Sequence, residues 1–142
     1  MASSAPAPGT VTTAELRVSP SDLASAVALE PQDVYPDVFA TARLVALMEV
    51  ASARALNPLL QPGQLSVGVT VEMTHSAPTP VGALVRAEAT FREQEGKLFV
   101  FDVVGKDEGG EIGRAVHKSA IIDRERLEDK AQKRVNTPAP NL

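Results

Sequence analysis

Cysteine is absent from the 142 residues, which removes a disulfide framework, a thiolate nucleophile and any Cys-ligated zinc or iron–sulfur centre. Histidine is scarce. With two in the chain, metal ligation would have to rest on that pair and on carboxylates. The formal net charge is -4, and no basic run is longer than a pair such as Lys133-Arg134. That gives no electrostatic footprint for nucleic acid or for an anionic membrane. No apolar run reaches the roughly 18 to 20 residues of a membrane span, because Arg43, Glu49 and Arg54 interrupt the most hydrophobic segment. The opening MASSAPAPGTVTT has no basic n-region, no apolar h-region and no transit-peptide arginine. A cytoplasmic protein is the expectation.

What the chain does contain is organised as one domain, and a chain of this length buries roughly two thirds of the surface its unfolded form exposes. Residues 1–13 are Ala, Ser, Pro, Thr, Val, Gly and Met with little to bury, so a disordered arm is expected there. A single domain over 14–134 and a flexible tail over 135–142 complete the division. AELRVS, Ala14 to Ser19, reads as a short strand. LEPQDVYPDV carries two prolines and two aspartates and reads as a loop into an apolar helix from about Ala40 to Leu56, which Pro58 and Pro62 end.

After Gly63 the period changes to two. Leu65, Val67, Val69, Val71, Met73 and His75 are expected on one face of a long strand, with Ser66, Gly68, Thr70, Glu72 and Thr74 on the other. PTPVG, EGK and EGGE then separate three more strand patterns, and turns this short favour antiparallel neighbours joined as a meander. RERLEDKAQKR reads as a solvated helix. A short strand, an apolar helix and four long strands make an α+β fold, one antiparallel sheet wrapped around one long central helix. A second copy of the chain is the simple cover for the sheet's remaining face and edge.

One carboxylate stands in the middle of the apolar helix, Glu49 in LVALMEVASA. An unpaired buried carboxylate is costly, so it is paired, exposed or chemically used. Arg43 and Arg54 lie six before and five after, off the i±4 spacing that pairs charges along a helix. His75 follows the apolar register of its strand and reads as a core residue or a general base. For His117, in AVHKSA, the mixed alternation favours a structural role. Thr41 is an N-cap or first-turn residue, or a hydroxyl beside a ligand. Gly68 marks a bulge or a backbone N–H that a ligand carbonyl can approach.

Taken together, VFATARLVALMEVASARALNPLL, SVGVTVEMTHSAPTPVG and EIGRAVHKSAII resemble the hot-dog-fold thioesterases, the group that includes fluoroacetyl-CoA thioesterase. The F-A-T…L-M-E and T-H-x-A-x-T-P blocks carry the resemblance over about Tyr35 to Asp123. It implies that Thr41, Glu49 and His75 are catalytic, with Glu49 as nucleophile or as base on a water and the other two hydrogen-bonded around it. It also implies that the Gly68 N–H holds the thioester carbonyl and that Tyr35, Phe39 and Ser119 line the substrate pocket. A small or medium acyl-CoA is the implied substrate, with no metal and no cofactor, and a homodimer or tetramer the implied assembly. Two departures stand out: Ser119 occupies the position of the family's last-strand arginine, and the aromatic lid is represented only by Tyr35. Fluoroacetyl selectivity is therefore not inherited. The competing readings are a non-catalytic acyl-CoA or small-ligand binding module, a hydratase or dehydratase of acyl thioesters, and a structural dimer with Glu49 salt-bridged.

Overall fold

In the computed structural model, which describes residues 5–137 and 139–140, helix α1 (Thr41–Leu56) lies across an antiparallel sheet. Leu44, Leu47, Met48, Ala51, Ser52, Ala55 and Leu56 are buried, the three- and four-residue spacing of one helix face. Ala40 caps the helix without a side-chain bond. Asn57–Leu59 then form a 3₁₀ turn containing Pro58, whose missing N–H ends the α-helical ladder.

The strands are β1 (Val11–Arg17), β2 (Gln64–His75), β3 (Leu84–Glu95), β4 (Leu98–Asp107) and β5 (Gly110–Asp123). Their spatial order is β1-β3-β4-β5-β2. In β3, Val85, Ala87, Ala89 and Phe91 alternate inward against α1, while Arg86 and Arg92 face out. Phe91 and Phe101 pack edge to face with ring centroids 5.4 Å apart. Close contact between helix and sheet depends on small residues at two points. A Cβ on Gly105 would lie 3.0 Å from Leu44 Cδ1, and one on Gly113 would lie 2.6 Å from the Thr74 carbonyl oxygen.

The expected α+β architecture of one sheet around one long helix is present, and three details differ. First, β1 begins at Val11 rather than Ala14, and the Gly9 N–H donates to the Phe91 carbonyl. The sheet thus recruits part of the expected arm, because pairing with β3 satisfies backbone groups whatever the side chains. Residues 1–4, 138 and 141–142 of the expected arm and tail lie outside the described residues. Second, β2 and β3 are not neighbours. β3, β4 and β5 form a meander, but β2 pairs with β5. Residues 76–83 cross the end of the sheet instead of closing a hairpin. Ser76 donates to the Ile112 carbonyl, the Thr79 hydroxyl donates to Asp107 at 2.7 Å, and Gly82 donates to the Val18 carbonyl.

Third, α1 is not covered all round. Ala42, Ala46, Glu49 and Val50 are exposed in the single chain. Helix α2 (Arg124–Asn136) is solvated as expected, with no buried residue, and starts at Asp123, whose side chain accepts from the Arg126 N–H. It extends past the expected end of the domain by Val135 and Asn136.

A methyl at Gly113 has to displace either the β2 backbone or Leu44. Gly113→Ala is expected to lower unfolding stability by about 1–3 kcal/mol, read from the midpoint of a urea melt at unchanged slope.

Candidate functional site

One irregularity in β2 sets the position of its side chains. Directly paired residues of antiparallel strands point to the same side of the sheet, and the β2–β5 register shifts between Gly68 and Thr70. Beyond the shift, Val71, Met73 and His75 pair with His117, Ala115 and Gly113; before it, Gly68 and Ser66 pair with Ser119 and Ile121. The extra residue, Val69, therefore switches the strand's faces. Gly68 and Ser66 come to the helix side, and Leu65 and Val67 leave it, so the unbroken alternation expected from the sequence holds only for the C-terminal half of β2.

The switch puts Gly68 directly beneath Glu49. A Cβ on Gly68 would overlap Glu49 Oε1 and fall 3.1 Å from His117 Nε2. Here the glycine borders the bulge and is itself the close approach. Glu49 Oε1 lies 3.8 Å from His117 Nε2, and the Glu49 side chain is 50% exposed while that of His117 is 3% exposed. The arginines of the helix are occupied elsewhere. Arg43 pairs with Asp22 at 3.7 Å, and Arg54 donates to the Thr13 carbonyl at 2.7 Å. Glu49 is thus a half-exposed carboxylate, not the enclosed one the apolar helix suggested, and neither arginine neutralises it.

Thr41 and His75 form a second pair. Thr41 Oγ1 and His75 Nδ1 are 2.8 Å apart, and Thr41 is the first helical residue rather than the cap. Tyr35, Phe39, Thr41 and His75 line a cleft of about 390 Å³ together with Ala77 and Pro78. Phe39 is itself 1% exposed and anchored through its N–H to the Thr79 carbonyl. The two pairs sit two turns apart on α1, about 12 Å along the axis at 1.5 Å per residue. Among the described residues no hydrogen bond or ion pair joins Glu49 to Thr41 or His75 within one chain.

His117 is the residue the sequence reading set aside. Its side chain shares the helix face with Ser119, and among the described residues neither His117 Nδ1 nor Ser119 Oγ, both buried, has a hydrogen-bond partner. The signal was available in the pairing of β5 with β2, which alternation within β5 alone does not show. Burial pushes His117 below the ordinary histidine value of 6.5, against a smaller raising effect of Glu49. Burial also lowers His75, partly offset by a backbone hydrogen bond to Ala77. Among the described residues no group of three or more acidic or histidine side chains is arranged to hold a metal ion, and no helix is long and apolar enough to cross a membrane.

One central helix wrapped by a five-stranded antiparallel sheet, with a carboxylate and a close-approach glycine at their junction, is the architecture that the hot-dog-fold resemblance implied. Residues 18–125 match the family model for fluoroacetyl-CoA-specific thioesterase. The chain is 40% identical over 105 residues to fluoroacetyl-CoA thioesterase from Streptantibioticus cattleyicolor, covering 74% of each. It superposes on the solved fluoroacetyl-CoA thioesterase FlK with a TM-score of 0.84 at 34% identity, covering 93% of this chain and 98% of that one. A Thermus thermophilus thioesterase superfamily member aligns with a TM-score of 0.79 at 26% identity, covering 89% and 91%. The chain belongs to the fluoroacetyl-CoA-specific thioesterase family.

Both histidines bind protons less readily in the folded chain than at 6.5. As pH falls through that value the unfolded state takes up protons first, so their contribution to stability is present above about 6.5 and lost below it. The expected outcome is a melting temperature that drops as pH falls below about 6.5, with a smaller drop in His117→Gln. Identical pH profiles for the two proteins would count against it.

Proposed function

We propose that the protein hydrolyses a small or medium acyl-CoA thioester to the free acid and CoA, with Glu49 as the nucleophile or as the base on a water. One observation carries this reading. Glu49 is a half-exposed carboxylate held over a side-chain-free backbone position, while both arginines of its helix are engaged elsewhere. A thioester carbonyl is electrophilic, and a carboxylate or the water it deprotonates attacks its carbon. The tetrahedral oxyanion then needs a donor, and the missing side chain at Gly68 leaves its backbone open to close approach. Collapse breaks the carbon–sulfur bond and releases CoA as thiolate, which takes up the proton that the water gives up, at the attack on the water route and at anhydride cleavage on the direct route. On the direct route a water then cleaves the acyl–Glu49 anhydride; on the water route the acid forms at once. Neither route calls for a metal or a redox cofactor.

The working form in this reading is a homodimer in the cytoplasm. Ala42, Ala46 and Val50 of α1 are exposed, and so are Val69 at 52% and Val71 at 40% on the edge strand β2. An unpaired apolar edge is a liability that pairing with a second copy removes. Antiparallel pairing of two β2 edges runs the strands in opposite directions, which carries the Thr41–His75 end of one copy towards the Glu49–Gly68 end of the other. Sedimentation equilibrium is expected to give twice the 15.0 kDa chain mass.

Glu49→Gln is expected to keep the melting temperature and to lower acyl-CoA hydrolysis at least about a hundredfold, the scale of a lost catalytic group. The assay is release of free CoA thiol from acyl-CoAs ranging from acetyl to long-chain and aryl. Binding of CoA esters without hydrolysis by the wild type would favour a binding module. With a small neutral hydroxyl at Ser119 in place of the family's arginine, no preference for fluoroacetyl-CoA over acetyl-CoA is expected in the same assay.

A further inference from the structure

Glu49 is half open to solvent at the middle of a helix, and a flexible carboxylate in that position needs something to fix it. His117 is the polar side chain that the fold brings to it. On β5 it is flanked in register by Val71 of β2 and Phe101 of β4, neither of which titrates. Glu49, from α1, is the charged group facing it. Its Nε2 lies 3.8 Å from Glu49 Oε1, while its Nδ1 is buried with no hydrogen-bond partner among the described residues.

The tautomer follows from these two environments. A neutral imidazole has one N–H and one lone pair. With the proton on Nδ1, a buried donor would lack an acceptor and the Nε2 lone pair would face a carboxylate, both unfavourable. With the proton on Nε2, the donor faces the carboxylate and the only unpaired feature is the Nδ1 lone pair. We propose that His117 is a positioning residue whose Nε2–H directs the Glu49 carboxylate over Gly68, leaving the second carboxylate oxygen for the reacting carbonyl or water. This assigns His117 a positioning role and not that of general base, since Nδ1 is buried and a protonated Nε2 faces Glu49 Oε1 at 3.8 Å with no lone pair free to take a proton. The inference deepens the thioesterase reading and rests on it for its effect on rate, but not for the tautomer.

Two measurements test it on the full-length protein. Nitrogen-15 NMR of the imidazole at neutral pH is expected to show His117 protonated on Nε2 and unprotonated on Nδ1, with Glu49→Gln shifting the Nε2 resonance. An Nδ1–H tautomer, or resonances indifferent to Glu49→Gln, would overturn the proposal whatever the protein hydrolyses. In steady-state hydrolysis, His117→Leu is expected to lower kcat about tenfold or more with little change in KM, and His117→Gln, which returns an N–H near the same place, to recover most of that. In the Glu49→Gln background His117→Leu should cost no further activity. Unchanged kcat in His117→Leu, or equal losses in the Leu and Gln variants, would sink the positioning role. A fully active Glu49→Gln would instead remove the catalytic carboxylate itself, and the NMR result would then stand as a structural pairing alone.

Discussion

One extra residue in an edge strand governs the geometry of the whole site. A strand's side chains alternate with a period of two, so inserting Val69 without inserting a partner on β5 reverses the face of everything before it. Without the bulge, the position beneath Glu49 would belong to a residue with a side chain, and the helix would have to stand off. With it, glycine faces the helix at that point, and Glu49 reaches down to within contact of Gly68 and His117. The same bulge leaves Met73 and His75 on the helix side further along, so one strand serves both ends of α1.

The helix then acts as a ruler. Thr41 meets His75 at its first turn, and Glu49 meets Gly68 and His117 two turns later. Core packing at Leu44, Met48, Gly105 and Gly113 keeps the helix at contact distance from β4 and β5, so the spacing between the pairs is set by the rise of the helix. Within one chain the two pairs do not touch. Beside them Ala42, Ala46 and Val50 of the same helix stay exposed in the single chain.

Much of this was legible in the residues. The apolar helix, its proline stop, the strand patterns and the solvated last helix follow from period and punctuation, which are local. The family blocks singled out Thr41, Glu49, Gly68 and His75; Thr41 meets His75 and Glu49 lies over Gly68, while the expected hydrogen bonds from Thr41 and His75 to Glu49 are not made within one chain among the described residues. What was not legible is non-local. The crossing of residues 76–83 depends on Thr79 and Asp107 meeting from distant positions, and a short proline-rich linker looks the same whether it turns back or crosses over. The bulge depends on the partner strand. His117 was passed over for the same reason, since only pairing with β2 shows that its ring lies under the helix.

The disposition of charge around Glu49 completes the chemical picture. A guanidinium close to a carboxylate stabilises its charged form and so makes it a poorer base and nucleophile. Helix α1 carries two arginines, yet Arg43 is drawn to Asp22 and Arg54 to the Thr13 carbonyl, each at an opposite end of the helix. The side chain that faces Glu49 within 4 Å is instead a histidine that burial holds towards its uncharged form. Such a neighbour can orient a carboxylate through one N–H without neutralising it. Ser119, buried on the same face and also uncharged, extends that pattern: the interior beside Glu49 supplies dipoles and keeps formal positive charge at the rim.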